Sequence, residues 1–194
     1  MLRERSRQSG ALMIEVLITI AIVVIGVVGL LQIQSRLQES EVEAYQRSQA
    51  LMLLNDMADR LSTNRVNADA YVTTGLATPY LGVGGEDSVC DSADASVVAI
   101  DLREWCEQLR GAAETSGGTA VGGMIGARGC VQPVGIGAFM VTVAWQGLTP
   151  VAAPPASVSC AVGLYNQPSP SPCVNDECRR YVTTMVRLAN LEST

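Results

Sequence analysis

GALMIEVLITIAIVVIGVVGLL, residues 10–31, is the stretch that decides the fold of this 194-residue chain. From Ala11 onward the run has 21 residues and a single ionisable side chain, that of Glu15. An α-helix rises about 1.5 Å per residue, so the run would span about 30 Å, which is the thickness of the hydrocarbon core of a bilayer. The sequence therefore predicts one membrane-spanning helix over residues 11–31.

The residues before this run predict its orientation. Arg3, Arg5 and Arg7 precede the apolar run, and basic residues tend to stay on the cytoplasmic side of a membrane. We therefore expect residues 1–10 in the cytoplasm and the rest of the chain on the far side of the membrane.

Glu15 is an unfavourable residue within a membrane helix. On insertion scales a carboxylate at the centre of such a helix costs about 2.5 to 3.5 kcal/mol, so an acid that is kept in the run implies a partner. All thirteen basic side chains are arginines, and none of them lies between Ser9 and Gln34. A cut just before Ala11 would make the new α-amine the only amine of the protein.

The order of a basic leader, a glycine, an apolar helix and a glutamate five residues after that glycine resembles the class III signal of type IV pilins and of type II secretion pseudopilins. Together with the following AYQRSQALMLLNDMADRLSTNR, the first third of the chain is similar, more narrowly, to the minor pilins of the PilV type, the type IV pilus modification proteins. The patches DLREWCEQL, RGCV, TVAWQGL and RRYVTTMVRL are similar more loosely.

The resemblance implies a processing reaction and an assembly. A prepilin peptidase would cut between Gly10 and Ala11 and would methylate the new amine of Ala11, although most family members have phenylalanine at that position. Glu15 would pair with the N-terminal amine of a neighbouring subunit, and the surface of residues 39–47 would make contacts between helices. The mature protein would join other minor pilins and the major pilin, first in the inner membrane and then in the extracellular pilus. It would prime pilus assembly and cap the fibre tip, where an adhesin is a further candidate partner, and so support twitching motility and adhesion.

Two alternatives stay open. The first is a minor pseudopilin of a type II secretion system. Deletion of the protein would distinguish the two, because loss of a pseudopilin would stop exoprotein secretion and loss of a pilin would remove surface pili. The second is a signal-anchored periplasmic binding domain that keeps its leader and is never assembled.

The anchor is expected to continue outward as one helix. Glycine is missing from Leu30 to Thr74 and all eight prolines lie at or after Pro79, which predicts a helix from Ala11 to about Val66. Its transmembrane half would be 11–31, with Gly26 and Gly29 serving either as a hinge or for close packing. Its amphipathic half would be 32–66. The apolar stripe of that half comprises Ile33, Leu37, Ala44, Leu51, Leu54, Met57, Ala58 and Leu61, and the side chains available for the other faces are Arg36, Glu39, Glu41, Glu43, Arg47, Asp56 and Arg60.

A globular head is predicted from residues 67–194. Residues 67–100 indicate a loop region, Asp101 would open a short helix, and residues 111–126 are predicted to be a flexible connection. Three or four antiparallel strands would follow, because residues 129–134, 139–145 and 179–188 have strand character. The residues expected on the buried faces are Leu102, Trp105 and Leu109 of the helix and Phe139, Val141, Val143 and Trp145 of the central strand. Packed on the long helix, these strands give an α+β fold, which the resemblance makes type IV pilin-like.

The six cysteines all follow the anchor, on the side expected to be the oxidising periplasm, and therefore predict disulfides. Six cysteines allow fifteen pairings, among which sequence alone cannot choose. The preferred set is Cys90 with Cys106, Cys130 with Cys160 and Cys173 with Cys178; the rival joins Cys130 to Cys178 and Cys160 to Cys173. Closing the first of these loops is worth about 3 kcal/mol in the chain-entropy model.

Composition argues against several functions. The leader carries three arginines and one glutamate, so its removal changes the formal charge from −6 to −8, and an acidic chain without lysine is a poor nucleic-acid binder. The glycine-rich residues 111–126 lack the lysine of a phosphate-binding loop. The chain has neither histidine nor a Cys-x-x-Cys motif, which disfavours Ser-His-Asp catalysis, zinc binding and thiol redox chemistry. We therefore expect no catalytic residues, metal or cofactor, and a protein that is the substrate of an enzyme.

Overall fold

The computed structural model describes residues 11–85, 87–111, 115–116, 119–120 and 124–189, which form an α+β fold. A long N-terminal helix packs on a small antiparallel sheet, an arrangement consistent with a pilin-like fold, and the predicted fold class is thereby confirmed. The helices are α1 (Ala11–Thr63), α2 (Asp87–Cys90) and α3 (Val97–Leu109), with a 3-10 helix at Arg65–Tyr71. The strands are β1 (Leu81–Gly82), β2 (Thr115–Ser116), β3 (Thr119–Ala120), β4 (Arg128–Gly135), β5 (Ala138–Gln146) and β6 (Arg179–Arg187).

The chain divides into two compact units between Val42 and Glu43, within helix α1. In the first unit, residues 11–42 are helical and every described side chain is exposed. The second unit, which we call the head, begins with the last 21 residues of α1, from Glu43 to Thr63. The head therefore begins within the predicted amphipathic half, 32–66, and earlier than the predicted head of 67–194. The predicted end of the transmembrane half at Leu31 stays a prediction.

The part of α1 that belongs to the head buries one face. Leu54, Met57 and Leu61 are buried as predicted, and Ala58 is half-buried. The other four members of the predicted stripe are exposed, so their place in it was wrong: Ile33, Leu37, Ala44 and Leu51. The stripe that the sheet covers recurs at intervals of three and four residues and is formed by Gln46, Ala50, Leu54, Met57 and Leu61.

The end of α1 also differs from the prediction. The helix stops at Thr63 and not at about Val66, because the backbone of Asn64 leaves helical geometry with φ −103° and ψ 43°. The chain then turns into the 3-10 helix Arg65–Tyr71, which from residue 67 onward lies in the stretch predicted as a loop. Strand β1 and helix α2 also fall in that stretch, so residues 67–100 hold more regular structure than their composition indicated.

The sheet has the order β1-β4-β5-β6 and is antiparallel throughout. Each of its two faces is covered in part. One face packs on α1 and α3 through Val131, Val141, Val143 and other apolar side chains of the main core. On the opposite face, Ala144 packs with a second apolar cluster from the proline-rich loop of residues 147–178. Strand β5 is therefore buried on both sides along most of its length, instead of alternating between buried and open positions as predicted.

Helix α3 packs on the sheet through Trp105. The helix begins four residues earlier than predicted, because Ser96 is its N-cap: the Ser96 hydroxyl accepts a hydrogen bond from the backbone N–H of Ala99 (3.3 Å). The predicted buried face of Leu102, Trp105 and Leu109 is confirmed. Trp105 lies against Gly129 of β4 so closely that a Cβ on that glycine would collide with the indole ring.

In the part of the chain between α3 and β4, the described residues form β2 and β3, which pair with each other. This pairing falls in residues 111–126, which were predicted to be a flexible connection. Residues 112–114, 117–118 and 121–123 of that segment lie outside the described chain.

Three disulfides staple the head. Cys90 pairs with Cys106, Cys130 with Cys160 and Cys173 with Cys178, which is the preferred set and not its rival. The first joins α2 to α3. The second joins β4 to the proline-rich loop, and the third closes a short loop directly before β6.

Candidate functional site

An exposed apolar helix surface is the first candidate for function. An 18-residue window near the start of α1 has a mean hydropathy of 2.9 and no buried side chain. Ile25, for example, is 73% exposed. The helix is therefore long and apolar enough to cross a membrane, a property that a signal sequence near an N terminus would share.

Glu15 lies within this apolar surface. Its side chain is exposed, and no ion pair of Glu15 is found within the described chain. Ala11 is the first residue of α1, whereas Gly10 lies outside the described residues, so the cleavage site and the methylated amine stay predictions. Gly26 and Gly29 lie inside the helix, and a Cβ added to either would meet no atom within 4 Å.

The surface of residues 39–47 was predicted to contact neighbouring helices. Glu39, Glu41 and Arg47 are exposed and remain available for that purpose. Glu43 is engaged within the head: its Oε1 accepts hydrogen bonds from Nη2 of Arg180 (3.0 Å) and from the backbone N–H of Leu148 (3.3 Å). The sequence gives no signal for this ion pair, because its two residues are 137 positions apart.

A charged cluster joins the end of α1 to α3. The Arg60 guanidinium donates to Asp56 (2.9 Å), Asp101 (2.8 Å) and Glu104 (2.9 Å), so Asp56 and Arg60 do not serve a free face as predicted. Burial lowers the pKa of Arg60, but the hydrogen bonds to the three carboxylates outweigh burial and raise it. Asp101, predicted to open α3, instead lies in its second turn and also accepts a bond from the hydroxyl of Tyr71 (2.5 Å). The cluster therefore fixes the packing of helices.

Arginines also hold the proline-rich loop on the sheet. The guanidinium of Arg128 lies between two rings, 5.4 Å from the centroid of Tyr80 and 4.9 Å from that of Tyr165. Buried Arg179 donates to the carbonyl groups of Val158 (2.8 Å) and Cys160 (2.9 Å). The cation–π contacts of Arg128 are worth about 0.5 to 2 kcal/mol each. Together with the hydrogen bonds of Arg179 and the disulfide between Cys130 and Cys160, they hold the loop on the sheet.

Two buried tyrosines predict a loss of stability at alkaline pH. Burial, with the hydrogen bond to Asp101, raises the pKa of Tyr71 to about 12, and burial raises that of Tyr165 to about 12, against an ordinary value of 10.0. Between pH 10 and 12 the unfolded chain releases these protons while the folded chain keeps them, so stability present below pH 10 is lost as pH rises through 12. We expect the absorbance of phenolate at 295 nm to keep rising above pH 11.

Single variants separate the two tyrosines. Tyr71→Phe and Tyr165→Phe should each remove about half of that late rise in absorbance. A titration of the folded protein that is complete by pH 11 would contradict the assigned burial of both hydroxyl groups.

An open groove of about 590 Å³ lies beside the N-terminus of α3. Hydroxyl and amide side chains rim it over an apolar floor that includes Leu76, Val89 and Leu102. The one carboxylate at the rim, Asp94, accepts from the backbone N–H of Ser96 (2.9 Å), and this bond lowers the pKa of Asp94. Across the described residues there is no group of three Cys, Asp or Glu side chains that could hold a metal ion. The Ser96 hydroxyl donates to the same carboxylate (3.1 Å) and caps α3, so the polar contacts of Asp94 and Ser96 serve the start of the helix.

Comparison of the chain with protein-family models, curated proteins and solved structures found no match.

Proposed function

We propose that this protein is a minor pilin of the type IV pilus, of the PilV type, that prepilin peptidase processes and that assembles with other minor pilins and the major pilin. One observation carries the proposal, and it concerns the single helix Ala11–Thr63. The first part of this helix is exposed and apolar around the carboxylate of Glu15, and the last part packs within the disulfide-stapled head. The exposed part needs lipid before assembly and the helices of other subunits after it, because that much apolar surface is unfavourable in water.

Glu15 has the chemistry of an assembly contact in this proposal. A carboxylate in lipid is costly when alone, and a cationic N-terminal amine of a neighbouring subunit relieves that cost. The subunit is therefore anchored in the inner membrane, with the head on the periplasmic side, until assembly moves it into the pilus. There it primes pilus biogenesis and caps the fibre tip, in support of twitching motility and adhesion.

The intact, unreduced mass of the protein tests the proposal. From cells with prepilin peptidase we expect a chain that lacks residues 1–10, carries one methyl group and has lost six hydrogens to its three disulfides. From cells without the peptidase we expect the full chain with the same disulfides. A leader that survives in both strains would mean an ordinary signal anchor, and loss of exoprotein secretion without loss of pili on deletion would mean a pseudopilin.

A further inference from the structure

The two edges of the sheet differ in how well they are protected. One edge is β1, which has only two residues, whereas the other is β6, which has nine and pairs with β5 alone among the described strands. The register between β5 and β6 is unbroken over nine pairs, and no proline, glycine or lysine interrupts β6. Natural proteins usually protect such an edge by keeping the strand short or by placing a bulge, a proline or a lysine in it. Strand β6 has none of these features and is therefore an unusually regular open edge.

Hydrogen bonds at the two ends of the β5–β6 ladder show which backbone groups of β6 are free. Leu188 donates its N–H to the carbonyl of Gly137 (2.8 Å), and Gly147 donates to Cys178 (2.8 Å), both in the register of the ladder. Because antiparallel pairing alternates, the even-numbered residues of β6 bond to β5. The N–H and C=O groups directed to the open side are those of Tyr181, Thr183, Met185 and Arg187, and within the described chain no hydrogen bond reaches them.

The far end of this edge is apolar and cationic. Thr183, Met185 and Arg187 are exposed on one face of the sheet, and Met185 is 53% exposed. Met185 and Arg187 also border a hollow of about 400 Å³ that includes Val134 and the fully exposed Ile136 of the β4–β5 turn. An added strand would therefore meet free backbone groups together with apolar side chains.

The charges of β6 indicate the kind of strand that fits. The strand holds three arginines and no acid in a chain of net charge −6. Arg179 is paired with Asp176 and Arg180 with Glu43, whereas the guanidinium of Arg187 donates to the sulfur of Met185 (3.4 Å) and has no ion pair among the described residues. Within that part of the chain, the charge of Arg187 is therefore open to an acid on an added strand.

A second copy of this chain fits the edge poorly. In an antiparallel pair of two β6 strands centred on Thr183, Arg187 of each copy would face Arg179 of the other. Like charges directly opposite each other are destabilising. The acid beside Arg179, Asp176, is already paired with it, and β6 itself has no acid for Arg187.

We propose that the open edge of β6 accepts an extended strand of another protein subunit, which adds a fifth antiparallel strand and places an acidic side chain opposite Arg187. Main-chain hydrogen bonds to the four outward-facing residues supply affinity, and the acid supplies the register. This inference rests on the head alone, so it does not depend on whether the protein is assembled into a pilus.

A synthetic strand tests the edge directly. The probe is a fluorescent nine-residue peptide of threonine alternating with valine, with glutamate as its second residue so that it faces Arg187. The matched control carries N-methyl groups on its valine nitrogens, which removes the N–H groups that would bond to β6. We expect the mature full-length protein in detergent to bind the probe and to gain protection from amide exchange at Tyr181, Thr183 and Met185, and we expect the N-methylated peptide to bind at least about tenfold more weakly.

Two variants of the edge complete the test. Met185→Pro removes one outward N–H without touching the ladder to β5, whereas Met185→Ala keeps that N–H and loses only apolar contact with the probe. The proline variant should therefore bind the probe about tenfold more weakly than the alanine variant. Arg187→Glu should weaken binding of the glutamate peptide and restore binding of a peptide with lysine in its place. This exchange also serves as the test should Met185→Pro fail to fold.

Several results would overturn the inference. They are equal binding of the N-methylated peptide, no binding of the probe at millimolar concentration, or equal effects of proline and alanine at Met185. A detergent-solubilised protein that is a dimer, and that Met185→Pro converts to a monomer, would show that a second copy occupies the edge instead.

Discussion

Replacing Glu15 by alanine is expected to remove the protein from assembled fibres while its leader is still cleaved. Glu15 is the one ionisable residue of the apolar run, and Gly10, after which we propose that the leader is cut, lies five residues before it. In the assembly that we propose, the N-terminal amine of a neighbouring subunit would then have no anion to meet in lipid, where an unpaired charge costs several kcal/mol. We expect more than about a tenfold loss of incorporation, since a single tenfold step needs only about 1.4 kcal/mol.

The measurement compares the protein in sheared fibres with the protein left in membranes, and mass spectrometry of the membrane fraction reports cleavage. Asp59→Ala is the matched control, because Asp59 is an exposed acid of the same helix that lies beyond both the apolar run and the surface of residues 39–47. Normal incorporation of the Glu15→Ala protein, with normal pilus numbers, would contradict the assembly role of this carboxylate. Equal losses in both variants would show a general effect on the helix.

Replacing Trp105 by alanine is expected to destabilise the head by about 3 to 5 kcal/mol, the cost of removing a fully buried aromatic side chain. The indole is 0% exposed, lies against Gly129 and donates its Nε1–H to the carbonyl of Leu53 (2.9 Å). Its removal leaves a cavity where α1, α3 and the sheet meet. Because domains are stable by only about 5 to 15 kcal/mol, a large share of the stability of the head would be lost.

Urea unfolding of the mature full-length protein in detergent measures the effect. Trp145, the one other tryptophan of the chain, remains as the fluorescent reporter in the variant. Trp105→Phe keeps an aromatic ring and should cost less, and Leu51→Ala, at an exposed position of α1, should stay within about 0.5 kcal/mol of the parent. A loss below about 1 kcal/mol in Trp105→Ala would contradict the central packing role of Trp105.

Part of the head could be predicted because local sequence fixes local structure. Alternation along β5 predicts a strand regardless of what covers it, and the spacing of Leu102, Trp105 and Leu109 gives the buried face of α3. The side of α1 that the sheet covers could not be predicted in the same way. Leu51 is as apolar as Leu54 but lies on a different side of the helix, and only the packed sheet selects one side for burial.

The polar contacts of the head could not be predicted from the sequence for the same reason. Glu43 and Arg180, or Arg60 and Asp101, are far apart along the chain and carry no pattern that links them. The N-cap of α3 was the exception that a local signal could have given, since Ser96 stands directly before the apolar run of the helix.

The sequence by itself determined the apolar helix with its single acid, the positions of the three long strands and the number of cysteines available for pairing. These features depend on residues that are neighbours along the chain, whose spacing sets helix or strand geometry directly. The tertiary structure alone decided which face of α1 is buried, which cysteines are joined and which strand is left at the open edge of the sheet. Those outcomes depend on distances between segments far apart in the chain, and such distances exist only once the head has packed.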